Sequence, residues 1–118
     1  MSKIGFIGLG RMGKGMASNL QKKGFQLMVL DVNPAPVKEL VALGALAGQN
    51  VAHIARECAI VITMLPTAVE VEQVATGADG VFAHAAPGSV LMDMSTIDPL
   101  ATDRLHAAAQ AKGLSVVD

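Results

Sequence analysis

Lys3-Ile4-Gly5-Phe6-Ile7-Gly8-Leu9-Gly10-Arg11-Met12-Gly13 decides the fold of this chain. Lys3–Ile7 is a short apolar run of the kind that makes a strand, and Gly8, Gly10 and Gly13 fall where that strand should become a helix. The helix is expected over Arg11–Lys23, with Met12, Met16, Ala17 and Leu20 at helical spacing and Gly24 as its stop. A second apolar run, Gln26–Leu30, leads directly into Asp31, eighteen residues past Gly13. In such an arrangement the first glycine makes a tight turn, the second lets the backbone approach a pyrophosphate, and the third lets the helix pack closely on the strand. The free N–H groups and positive end of the helix face the phosphates. A carboxylate at the tip of the second strand can accept the hydroxyls of an adenosine ribose. GxGxxG by itself is a weak signal that also fits a glycine-rich turn. Strand, glycines, helix and acid in this order predict a dinucleotide site.

The same alternation continues to the end of the chain, without a linker or low-complexity segment. Asn33-Pro34 reads as a helix cap followed by proline in the first turn; Val37, Leu40 and Val41 give that helix its apolar face, and Gly44 ends it. A short third strand is expected over Ala45–Ala47, then a short helix capped by Asn50 and running through Val51, Ile54 and Ala55. Ala59–Leu65 is rich in β-branched residues and reads as a fourth strand, wholly buried. Pro66-Thr67 breaks it, and Thr67 with Glu70 forms a capping box for the next helix. After a turn at Pro87-Gly88, strand five is expected over Ser89–Met94, with Asp93 inside it satisfying neighbouring backbone groups. Asp98-Pro99 opens a long helix ending at Gly113, and Leu114–Val117 is strand six. Short crossovers require parallel pairing and right-handed connections. The predicted product is an α/β Rossmann fold: a doubly wound parallel sheet in the order 3-2-1-4-5-6.

A chain of 118 residues is one domain with room for a sizeable core. Hydrophobic residues make up 52% and aromatics 3%, so that core is aliphatic. Nine basic and ten acidic residues leave a net charge of −1, and neither a basic stretch nor an aromatic platform favours nucleic acid. Mean hydropathy is +0.47, yet the most apolar stretch, Ala59–Leu65, is far shorter than the roughly 20 residues of a bilayer span. The first residues lack a signal-peptide pattern. A single cysteine, Cys58, cannot form an internal disulfide and is expected to fill a small buried space, which suits a reducing, cytoplasmic location. His53, His84 and His106 are scattered without metal-ligand spacing and predict no metal site.

The opening signature, with Met16-Ala17-Ser18-Asn19-Leu20, Asp31-Val32-Asn33-Pro34, Ile62-Thr63-Met64-Leu65-Pro66 and Met92-Asp93-Met94-Ser95-Thr96-Ile97, resembles the β-hydroxyacid dehydrogenases. That family includes 3-hydroxyisobutyrate dehydrogenase, tartronate semialdehyde reductase and sulfolactaldehyde reductase. The resemblance covers the whole chain but only the first part of the family's usual length. It implies an NAD-binding domain lacking the helical domain that carries the family's substrate loop, lysine acid/base and asparagine; the expected parent is a longer protein and a homo-oligomer. It further implies NAD contacts along Gly8, Leu9, Gly10, Arg11, Met12 and Gly13, with the amides of Arg11 and Met12 on the pyrophosphate. Asp31 would hold the ribose, with Asn33 beside it. Met64, Leu65 and Pro66 would line the adenine and nicotinamide-ribose side, and Thr96 would contact the nicotinamide end. The implied partner is a small anionic hydroxy acid or semialdehyde, and no lysine of this chain inherits the catalytic role.

Other readings of the same residues stand beside these. Asp31 could cap its own turn, Arg11 could be a solvated side chain, Leu65 and Pro66 could merely end a strand, and Ser95 and Thr96 could be helix-entry hydroxyls. At the level of function the alternatives are a non-catalytic nucleotide-binding or sensor module and, further off, a flavin or S-adenosylmethionine site.

Overall fold

The computed structural model describes residues 3–95 and 97–118. Each apolar run forms a strand: β1 (Lys3–Ile7), β2 (Leu27–Leu30), β3 (Leu46–Ala47), β4 (Cys58–Thr63), β5 (Val90–Asp93) and β6 (Ser115–Val117). Between them run α1 (Arg11–Lys22), α2 (Pro34–Ala42), α3 (Val51–Glu57), α4 (Ala68–Thr76), α5 (Val81–His84) and α6 (Pro99–Gln110). The strands make one sheet in the order β3-β2-β1-β4-β5-β6, every pair parallel, as the sequence predicts.

Four helices begin where short polar side chains can satisfy the open amides of a first turn. Asn33 accepts from the Ala35 amide, Asn50 from His53, Thr67 from Glu70 and Asp98 from Ala101. Each face of the sheet buries its own cluster. On one, Phe6, Val29 and Ile62 pack with Ala17 of α1 and Leu40 of α2. On the other, Val61, Leu91 and Val116 pack with Val71, Phe82 and Leu105 from α4, α5 and α6. Cys58 is buried in this second cluster, and desolvation there pushes its thiol up to about 11, which leaves it unreactive.

The structure departs from the sequence reading at several points. Strand four is not wholly buried: Ala59 is exposed and Ile60 is 36% exposed. Ala59 is the extra residue of a bulge, since Lys3 pairs with Cys58 and Ile4 with Ile60. Ile60 lies on the Ile62 side of the sheet but outside the cluster in which Ile62 packs with α1 and α2. β5 and β6 likewise bury one face more than the other, with Leu91 and Val116 buried, Val90 and Met92 half-buried and Val117 exposed. Helix α5 has no counterpart in the sequence reading because four residues are too few to show a period. Helix α6 stops at Gln110, and the chain turns through Gly113 at φ +71° rather than carrying the helix that far. No helix among the described residues is long and apolar enough to cross a membrane.

Candidate nucleotide-binding groove

The carboxyl ends of β1, β2 and β4 open onto a groove of about 730 Å³. That lies within the range of roughly 300–1,000 Å³ typical of small-molecule and cofactor sites. Its walls include Gly8, Gly10, Arg11, Met12, Gly13, Asp31, Met64, Leu65 and Pro66, so nine of the residues singled out from sequence come together there.

The three glycines have three different surroundings. Gly8 sits at φ +102°, and a Cβ there would lie 2.1 Å from the Met64 carbonyl oxygen, so it permits both the turn and the close approach of β4. A Cβ on Gly13 would lie 2.2 Å from the Gly8 carbonyl oxygen, so this glycine lets α1 pack against the turn. A Cβ on Gly10 would meet nothing within 4 Å. No neighbour in the fold demands a glycine there; the space above it is open groove.

Gly10 is also the N-cap of α1, with no side-chain cap bond and no acidic residue in the first turn. Among the described residues the amides of Arg11, Met12 and Gly13 find no acceptor. These donors, the positive end of a twelve-residue helix and the Arg11 side chain make one wall of the groove a place for an anion.

Asp31 faces this wall from the end of β2. Its Oδ2 accepts from the Leu9 amide at 2.5 Å and its Oδ1 from the Asn33 amide at 2.8 Å. The carboxylate is therefore fixed to the glycine turn on one side and to its own following turn on the other. Two carboxylate oxygens offer about four acceptor positions, so the fixed group retains capacity for further donors. Capping its own turn and presenting acceptors to the groove are thus compatible.

Leu9 and Asn33 do not line the groove. The Leu9 side chain is buried against the sheet with Phe6 and Val29, and the Asn33 side chain caps α2. Both act through their amides, which position Asp31. Thr96 lies outside the described residues. The groove walls also include Val32, Val51, Glu70, Gln73 and Val74, which sequence reading did not single out. Val32 follows Asp31 after β2, Val51 opens α3, and Glu70, Gln73 and Val74 belong to the first two turns of α4. A signal was available: ligands of open α/β sheets sit at carboxyl ends of strands, so the opening turns of the helices that follow belong to the wall.

A doubly wound parallel sheet, a glycine turn with unmatched helix amides and an acid at the tip of β2 define a dinucleotide-binding α/β domain. Over residues 3–118 the chain belongs to the family described as the NAD-binding domain of 6-phosphogluconate dehydrogenase, and it is an NAD(P)-binding domain. It is 48% identical over 118 residues to the 3-sulfolactaldehyde reductase of Escherichia coli (strain K12), covering 100% of this chain and 40% of that protein. A solved structure of Mycobacterium tuberculosis 3-hydroxyisobutyrate dehydrogenase with L-serine is 32% identical, with a TM-score of 0.88 over 98% of this chain and 39% of that one. Another, Psf3 in complex with NADP+ and 2-OPP, is 25% identical, with a TM-score of 0.91 over 96% of this chain and 40% of that one. The chain thus spans about 40% of the length of the curated relative. These matches bear out the β-hydroxyacid dehydrogenase resemblance carried by the motifs.

Proposed function

We propose that the groove binds NAD(H) in preference to NADP(H), and that the chain is the cofactor-binding part of a dehydrogenase or reductase. In this reading the pyrophosphate lies on the amides of Arg11 and Met12, over open Gly10. The adenosine ribose donates to Asp31, and the base rests among Val51, Leu65, Pro66 and Val74. The observation that carries the reading is the Asp31 carboxylate, held by two amides beside a helix end whose own amides are unmatched. A 2′-phosphate would meet that carboxylate at close range, and the residues that follow it, Val32, Asn33 and Pro34, offer no cation to offset the repulsion.

The residues present fit such a cofactor, which when bound would supply or accept the hydride. What this chain does is hold it: the α1 amides fix the phosphates, Asp31 fixes one ribose, and the apolar walls exclude water from the base. The substrate proposed for the whole protein is a small anionic β-hydroxy acid or semialdehyde, by analogy with relatives such as 3-sulfolactaldehyde reductase and 3-hydroxyisobutyrate dehydrogenase. Its acid/base would come from a part of the protein outside this chain. The purified chain should therefore bind NADH without turning over any such acid, and a single buried thiol suits work in the reducing cytoplasm.

Calorimetric titration of the chain with NADH and NADPH tests the reading. NADH should bind at least about tenfold more tightly, the effect of losing one charge-assisted hydrogen bond and gaining a repulsion. Equal or tighter binding of NADPH would remove Asp31 from its assigned role.

A further inference from the structure

Beyond the groove just described, a second polar cluster lies at the ends of β4 and β5. Asp93, the last residue of β5, is 3% exposed and yet carries a carboxyl group. Its Oδ1 accepts from the Thr63 hydroxyl at 2.8 Å and from the Ser95 amide at 3.1 Å. The Ser95 hydroxyl oxygen in turn accepts from the Leu65 amide at 2.7 Å. Thr63 is fully buried at the end of β4, and Leu65 lines the groove. The chain of bonds runs from a strand end, through a buried carboxyl group, to the backbone of a groove wall.

We propose that Asp93 and Ser95 are positioning residues that lock the loop after β4 to the loop after β5, so that the groove presents a fixed rim to the half of the dinucleotide beyond the pyrophosphate. This deepens the NAD(H) reading and rests on it. In the sheet order β2-β1-β4-β5, Asp31 stands on one side of the glycine turn and this cluster on the other. A ligand that ends at the pyrophosphate is held by Asp31 and the α1 amides. A ligand that continues past it must rest on the β4 and β5 loops. Neither Asp93 nor Thr63 lines the groove, so both act through Ser95 and Leu65. The bonds from Thr63 and Ser95 both fall on Oδ1 of Asp93, and Oδ2 is buried without a partner among the described residues, so the carboxyl group ties the two loops through one oxygen.

The test is titration of the full chain with NADH and with ADP, alongside thermal unfolding, for wild type, Ser95→Ala, Asp93→Asn and Thr63→Val. Ser95→Ala removes the acceptor for the Leu65 amide and should weaken NADH about tenfold while leaving ADP within about twofold, the scale of one hydrogen bond's contribution. Thr63→Val keeps the volume, removes the hydroxyl and should move NADH in the same direction by less. Asp93→Asn keeps an oxygen acceptor and should retain near-wild-type NADH affinity. Equal weakening of both ligands by Ser95→Ala would mark a purely structural role and overturn the proposal, as would unchanged NADH binding. Should Asp93→Asn fail to fold, Ser95→Ala, at a half-buried position, decides the matter by itself. A folded wild-type chain that binds neither ligand would instead overturn the reading of the groove on which this one rests.

Discussion

The sheet holds two crossover units, β1–α1–β2 and β4–α4–α5–β5, and their first strands end differently. In the first, the chain leaves the strand through Gly8-Leu9-Gly10, and α1 begins with no side-chain cap. In the second it leaves through Met64-Leu65-Pro66, and the Thr67 hydroxyl closes the first turn of α4 by accepting from Glu70. One unit leaves its first-turn donors open and the other closes one of its own. The aspartates repeat the contrast. Asp31 and Asp93 each accept the amide two residues on, from Asn33 and Ser95, and each ties down a neighbouring loop. Ile7 pairs with both Leu30 and Thr63, and Thr63 with Asp93, so Asp93 sits level with Leu30, one position deeper than Asp31. Successive strand residues face opposite sides. A single step therefore turns a half-exposed rim acceptor into a buried clamp.

Substitutions at the turns probe the first contrast. Gly8→Ala should cost at least about 3 kcal/mol in urea unfolding, because a left-handed backbone and a clash with the Met64 carbonyl oxygen add together. Gly10→Ala, two residues away and with open space around its Cβ, should change stability by less than about 1 kcal/mol. It should nonetheless weaken NADH at least about tenfold, since the methyl group enters the space given to the pyrophosphate. A Gly10→Ala chain that binds NADH normally would leave the two glycines alike in function and remove the ligand from above α1.

The aspartates come next. Asp93→Ala leaves the buried Thr63 hydroxyl without its acceptor and should cost about 1–3 kcal/mol in the same unfolding measurement. Asp31→Ala frees amides that water can reach, so it should cost less, while erasing most of the NADH-over-NADPH preference. If the two costs are reversed, depth in the sheet is not what separates them. The smallest effect is expected at the cap of the closed unit: Thr67→Ala should lower stability by about 1 kcal/mol without altering NADH affinity.

This contrast also marks what could be read from the residues. The glycine turn, the strand order and Asp31 were legible because each depends on local pattern: apolar runs, left-handed turns and spacing. The caps Asn33, Asn50, Thr67 and Asp98 were legible for the same reason. The depth of Asp93 was not, because it depends on the register between β4 and β5, which no local pattern states. The open flank of Ile60 depends on how far α1 and α2 reach across the sheet, and the groove walls at Val51, Gln73 and Val74 on where two helices begin in space. Leu9 was read for its place in the motif, yet its side chain serves the core and its amide serves Asp31.

At 12.1 kDa the chain suits amide-resolved NMR, and following its backbone resonances during NADH addition observes the proposed donors themselves. The amides of Arg11, Met12 and Gly13 should show the largest shifts, with those of Leu9 and Asn33 responding through Asp31. Saturable shifts that leave these five amides unmoved and appear elsewhere on the domain would contradict a dinucleotide site built on the open end of α1.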